Sequence, residues 1–215
     1  MLKGHLLKNG FGVVLVMAWI FGGKHFGQYT YEHWFDDEYS PEQKGEMMQK
    51  ETIKIFVNYN KSVNVFMNDI IKTLSPEEWQ KPLGGFFPSV RSLCSHLYIG
   101  DYTWLKRFGR LRLFTALSNP FFEKDYSFQE TLFEDMGEYL AKRPDLDNRM
   151  LAFTDELADD DLSKTLSYID SRGTPHERNF SRCLLQWLNH ETHHRGMISL
   201  YLEMLGKEND FSFLW

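Results

Sequence analysis

The residues best suited to chemistry lie in the segment Asn189-His-Glu-Thr-His-His-Arg-Gly196. His190 and His194 are four apart, so on a helix they project from one face on successive turns. Two imidazoles placed this way can reach one divalent ion at about 2.0–2.1 Å each. The flanking sequence makes a helix the expected setting, over about residues 180–205: Leu184, Trp187, Glu191, His194, Ile198, Tyr201 and Leu205 recur at steps of three and four, and Gly206 is a fitting stop. His194 takes an inward position in this stripe, with His190 beside it. Burying imidazoles without partners is costly, so the pair either hydrogen-bonds within a core or binds an ion. His193 points off this face.

A metal site needs a third ligand. His96 is the best candidate, because it lies between the apolar stripe residues Leu93 and Leu97 of another expected helix. His5, His25 and His33 fall in an N-terminal extension, and His176 in an expected hairpin. Three neutral histidines plus water would make an open site, the arrangement of catalytic rather than closed structural zinc. An ion held this way can lower the pKa of bound water or take a thiolate directly. His190-Glu191-x-x-His194 also satisfies the zincin pattern, with Glu191 as general base. Against that reading, Glu191 falls on the inward stripe and no histidine follows His194. Arg195 could neutralise a substrate anion or make an ordinary surface ion pair. Asn60 could orient a ligand or substrate, or bond to backbone. Trp104, Trp187 and Tyr201 could line a pocket, although aromatics at helical spacing usually serve the core.

Other elements have to bring these residues together. A first helix is expected over about Gln49 to Leu74, with Ile53, Phe56, Asn60, Val63, Met67, Ile70 and Leu74 as its seam, ending at Ser75-Pro76. Ser89 is a candidate N-cap for a second helix over about 90–108. A long connection follows, then a third helical region over roughly 128–158, interrupted near Pro144. The stretch from Leu166 to Arg178 reads as a short hairpin around Asp170–Gly173. The expected fold is all-α: a four-helix bundle with a long crossover between the second and third helices and a short β-hairpin before the last.

The 215 residues, 42% hydrophobic and 16% aromatic, suffice for one domain with a substantial core. A formal net charge of −6 lacks the basic footprint of a nucleic-acid binder, so no nucleic-acid partner is expected. Cys94 and Cys183 form no CxxC and read as buried small residues within helices. Residues 1–46 are read as an extension preceding the domain at 47–215. Within it, Phe11 to Gly22 is apolar and follows Lys3 and Lys8, but it is too short for an ordinary membrane span. It resembles a secretory signal without a good cleavage site, so a mis-called start is the competing reading. A cytoplasmic location is expected, with export or anchoring through residues 11–22 as the alternative. Residues 24–46 are aromatic and acidic, a linker or strap.

Several ordered motifs carry a family resemblance. They are Tyr59-Asn60…Asn64, Pro88-Ser89-Val90-Arg91-Ser92-Leu93…His96-Leu97…Trp104, Asp170…Gly173 and His190-Glu-Thr-His-His-Arg-Gly196. Over roughly Met47 to Gly206 the sequence resembles the DinB-like (YfiT-like) superfamily of bacterial metal-binding four-helix bundles. The resemblance implies that His96, His190 and His194 take the places of the family's metal-binding triad, with zinc or nickel as the ion. The family's known activities are mostly thiol-linked, including transfers to bacillithiol-type cofactors and a mycothiol-dependent isomerase. A metal-dependent thiol S-transferase acting on a low-molecular-weight thiol and an electrophile is therefore the expected function; a non-catalytic metal-binding bundle is the alternative. Dimerisation is compatible with such bundles. The usual Gln after the Arg-Gly is Met197 here, which touches a pocket contact and not the ligands.

Overall fold

The computed structural model describes residues 49–118 and 120–214. The expected extension and strap, residues 1–46, lie outside them. The described chain is a bundle of four long helices: α1 (Lys50–Ile71), α3 (Val90–Phe108), α4 (Met136–Glu156) and α5 (Phe180–Met204). A short α2 (Pro76–Gln80) follows α1, and a hairpin of β1 (Thr165–Ile169) and β2 (Pro175–Asn179) precedes α5. Helix α1 packs on α4 and α5, and α3 packs on α5 and α4. No helix among the described residues is long and apolar enough to cross a membrane.

Local sequence sets the boundaries. Ser89 caps α3 in a reciprocal box with Ser92, each bonding the other's backbone N–H at 3.2 and 2.9 Å. Gly206, at φ +75°, closes α5: its N–H donates to the Glu203 carbonyl at 2.8 Å and the Lys207 N–H to that of Leu202 at 2.9 Å. These are the paired bonds of a Schellman motif, and a left-handed residue there favours glycine. The hairpin pairs antiparallel from Thr165↔Asn179 to Ile169↔Pro175. Its turn is held by Asp170, whose Oδ1 accepts from the N–H groups of Arg172 and Thr174, both at 2.8 Å.

Two expectations need correction. Ser75-Pro76 does not end α1, which stops at Ile71; it opens α2: Ser75 is the N-cap, Pro76 sits in the first turn, and Glu78 reaches back to the Ser75 N–H at 2.8 Å. The third helical region begins at Met136 rather than near 128, and it runs unbroken through Pro144. An interior proline costs about 3 kcal/mol. The helix persists because the residues around Pro144 are anchored in the core: Arg143, Leu146 and Asp147 are each at most 2% exposed. The crossover at 109–135 contains two short 3-10 turns, Thr115–Leu117 and Pro120–Phe122. The core is rich in aromatics, with Phe108 stacked on Phe153 at 5.4 Å and set edge-on to Trp187 at 5.5 Å. Cys94 and Cys183 are buried and free, as expected of small helix residues.

Candidate metal centre

Helices α3 and α5 bring His96, His190 and His194 together, each offering a ring nitrogen within 4.8 Å of the others. The three rings meet with centroids 4.4 to 5.1 Å apart. The Nδ1 of His96 donates to the Phe128 carbonyl at 3.2 Å, because a carbonyl can only accept. That fixes the tautomer and leaves the His96 Nε2 as a lone pair, 3.1 Å from the Nε2 of His190. Two nitrogens bound tetrahedrally to one ion at about 2.0–2.1 Å stand about 3.3 Å apart. A direct hydrogen bond between the two rings would account for this pair but not for the converging third imidazole. The donor set therefore fits a divalent ion, with the Phe128 carbonyl orienting His96 as second partners of metal-bound histidines do.

Burial pushes all three rings toward the neutral, ligating form. It lowers His96, and it takes His190 down to about 3, where neighbouring His96 adds to the effect. His194 is lowered by burial and then by His190 and His96. Metal binding would thus displace no proton from these imidazoles at neutral pH.

Glycine and aromatic residues shape the site. Gly100, one turn after His96 on α3, lies flat against the His190 imidazole: a Cβ there would stand 3.1 Å from its Nδ1 and closer still to Cε1. Phe87 stacks on His96 at 4.1 Å and meets His194 edge-on at 5.6 Å, covering one side of the triad. Its loop is tied to α5 by Tyr201, whose hydroxyl accepts from the Gly85 N–H and donates to the Phe87 carbonyl, both at 2.8 Å.

Behind the histidines, buried charges join all four long helices. Arg143 of α4 reaches Asp101 of α3 at 2.7 Å, Asp147 at 2.8 Å and Glu191 of α5 at 3.7 Å. Arg195 meets Glu191 at 3.2 Å and donates to Asn60 of α1 at 2.7 Å. Asn64 donates to Asp147 at 3.0 Å, and the Trp187 indole N–H to Asp101 at 2.8 Å. Burial and the Asp101 charge raise the Glu191 carboxyl well above its usual range, against the pull of Arg143 and Arg195. Burial opposes ionisation of Asp101, but Arg143 and the hydrogen bond from Glu191 outweigh it. Asp101 and Glu191 adjoin Gly100 and His190 in sequence, so this network sets the register in which α3 presents His96 to α5.

The other candidates fall as follows. Asn60 and Arg195, each 1% exposed, bond to one another inside the network. Arg195 is therefore not the surface residue expected. Glu191 is fully buried against Arg195 and Arg143, turned away from the role of a zincin base. Trp187 and Tyr201 are buried, and Trp104 is 8% exposed. His193 is exposed, its ring 4.8 Å from that of His194. His176 bonds Asp170 in the hairpin at 3.0 Å. Sequence reasoning missed Gly100, Phe87, Phe128 and Arg143. Only Gly100 had a usable signal, a glycine one turn after a candidate ligand in an otherwise good helix.

Fold and site together define a four-helix bundle with three histidines positioned for a metal ion. The DinB family model matches residues 47–211, and the chain belongs to that family. It is also similar to Protein DinB of Bacillus subtilis (strain 168), 26% identical over 148 residues, or 69% of this chain and 83% of that protein.

Proposed function

We propose that the protein is a metal-dependent thiol transferase acting with a low-molecular-weight thiol. The observation that supports this most is the opposed Nε2 pair of His96 and His190, 3.1 Å apart, with His96 locked by the Phe128 carbonyl. Neutral imidazoles suit zinc or nickel. A divalent ion held by three of them supplies a Lewis acid that keeps a thiol as its thiolate at neutral pH. His96, His190 and His194 bind and orient, while Phe87 excludes water from one side. The Arg143 network keeps the helices in register and contributes no group to the reaction. Glu191 is fully buried against Arg143 and Arg195, which disfavours its use as the base of a zincin-type hydrolase.

Metal content by mass spectrometry, wild type beside His96→Ala, tests the first half. About one equivalent in the wild type and its loss in the variant are expected. The second half is tested with cobalt-substituted protein, whose absorption should gain a sulfur-to-metal band on adding a thiol. No bound metal after loading with zinc or nickel, or a cobalt spectrum indifferent to thiols, would sink the proposal.

A further inference from the structure

A cleft of about 170 Å³ opens between α3 and the segments 124–128 and 169–171. Phe128 is the wall it shares with the histidines: the Phe128 carbonyl holds His96, and its ring lies 6.0 Å from the Arg107 guanidinium. That ring also lies 6.0 Å from the His96 ring, so the guanidinium is at most about 12 Å from the imidazole.

The cleft's charge is opposite to that of the chain. Lys106, Arg107, Arg110 and Lys124 line it against two carboxylates, Asp125 and Asp170, in a protein of net charge −6. Asp125 is taken up by Lys106 at 2.7 Å, and Asp170 by its turn and by His176 at 3.0 Å. Arg107 is held between the Trp104 and Tyr168 rings at 5.0 and 4.8 Å, so this cation is fixed in place beforehand. Arg110 and Lys124 are exposed at the rim.

We propose that this cleft is an anion subsite, holding a carboxylate or phosphate of the molecule whose other end reaches the histidines. The link to the histidines rests on the metal-centre reading; anion binding itself does not. The ligand class that follows is an acid with up to about 12 Å between its anionic end and its reacting end. Arg107 gives a rigid donor, and Arg110 and Lys124 supply attraction that depends on ionic strength.

The test is titration of the full-length protein with succinate, inorganic phosphate and neutral succinamide, followed by calorimetry and by arginine Nε–Hε NMR signals. Succinate or phosphate should bind, more weakly as salt rises, and succinamide should not; which anion binds tighter separates a carboxylate from a phosphate ligand. The double variant Arg110→Gln, Lys124→Gln should lose about tenfold or more in anion affinity. His194→Ala should bind the anion as the wild type does. Undiminished binding in the double variant, equal binding of succinamide, or loss of anion binding in His194→Ala would each overturn the assignment. Metal content on the same samples tells failure of the metal reading from failure of the cleft.

Discussion

The imidazole of His190 occupies the space into which a side chain at Gly100 would project, with its Nδ1 3.1 Å from that Cβ position. A glycine inside a helix costs up to about 1 kcal/mol relative to alanine. Here that cost secures the approach of α5 to α3 at the level of the histidines. Gly100→Ala should therefore favour the helix while moving the His190 ring out of line with His96. We expect metal affinity to fall about 10- to 100-fold, a loss of the size seen when the groups supporting a metal ligand are disturbed. Competition with a chelator measures it, with circular dichroism showing the helices intact. Unchanged affinity would mean that the ring does not need its observed position.

Tyr201 acts on the same site from the far end of α5. Tyr201→Phe removes two hydrogen bonds and leaves the Gly85 N–H and the Phe87 carbonyl without that partner. A cost of about 1–2 kcal/mol follows, read from urea unfolding. With the loop released, Phe87 should uncover His96, and metal should escape to a chelator faster than from the wild type. Phe87→Ala should speed that escape while the hydrogen bond between Tyr201 and the Gly85 N–H stays in place, which separates the cap from its anchor.

Much of this arrangement was legible because helical period carries it. His190 and His194 announce themselves at i, i+4, His96 by its place in an apolar stripe, and Ser89 and Gly206 by their capping chemistry. The α2 turn was also legible in Ser75-Pro-Glu-Glu78, a capping box mistaken for a terminator. Arg143 was not: an arginine at an inward position looks like a surface residue until its partners are known, and those come from α3, α4 and α5. Phe128 acts through a backbone carbonyl, a group every residue has, so no residue type could flag it. Phe87 sits in a loop, where there is no period to read.

Removing Arg143 should be the most damaging single change. It would leave Asp101 and Asp147 buried without their main counter-charge, and breaking a buried pair from one side costs about 3–5 kcal/mol. Against a total stability of about 5–15 kcal/mol, Arg143→Met should lower the urea midpoint steeply or prevent folding. Adding Asp101→Asn and Asp147→Asn should recover part of the loss, since the harm lies in the uncompensated charges. A loss below about 1 kcal/mol for Arg143→Met alone would show that the network is dispensable.

Asp161 gives the clearest dependence on pH. Its carboxylate receives Arg112 Nε at 3.0 Å and Nη2 at 2.8 Å, Lys164 at 2.7 Å and the Ala158 N–H at 2.9 Å. Arg112 also donates to the Glu156 carbonyl at 2.6 Å, so one carboxylate ties the crossover, the end of α4 and the approach to β1. Burial opposes ionisation, but the bonds from Arg112, Lys164 and the Ala158 backbone outweigh it and hold the group far below the usual carboxylate range. A folded-state pKa below the unfolded value of about 3.9 means that the unfolded chain takes up the proton first. The stabilisation is thus present above about pH 4 and lost as pH falls further toward the folded value. Asp161→Asn should cost about 2–3 kcal/mol at pH 7, the scale of hydrogen bonds to a charged group, and less at pH 3. Urea unfolding of both proteins at the two pH values measures the difference. An equal gap at pH 7 and pH 3 would place the effect of the substitution in packing and not in charge.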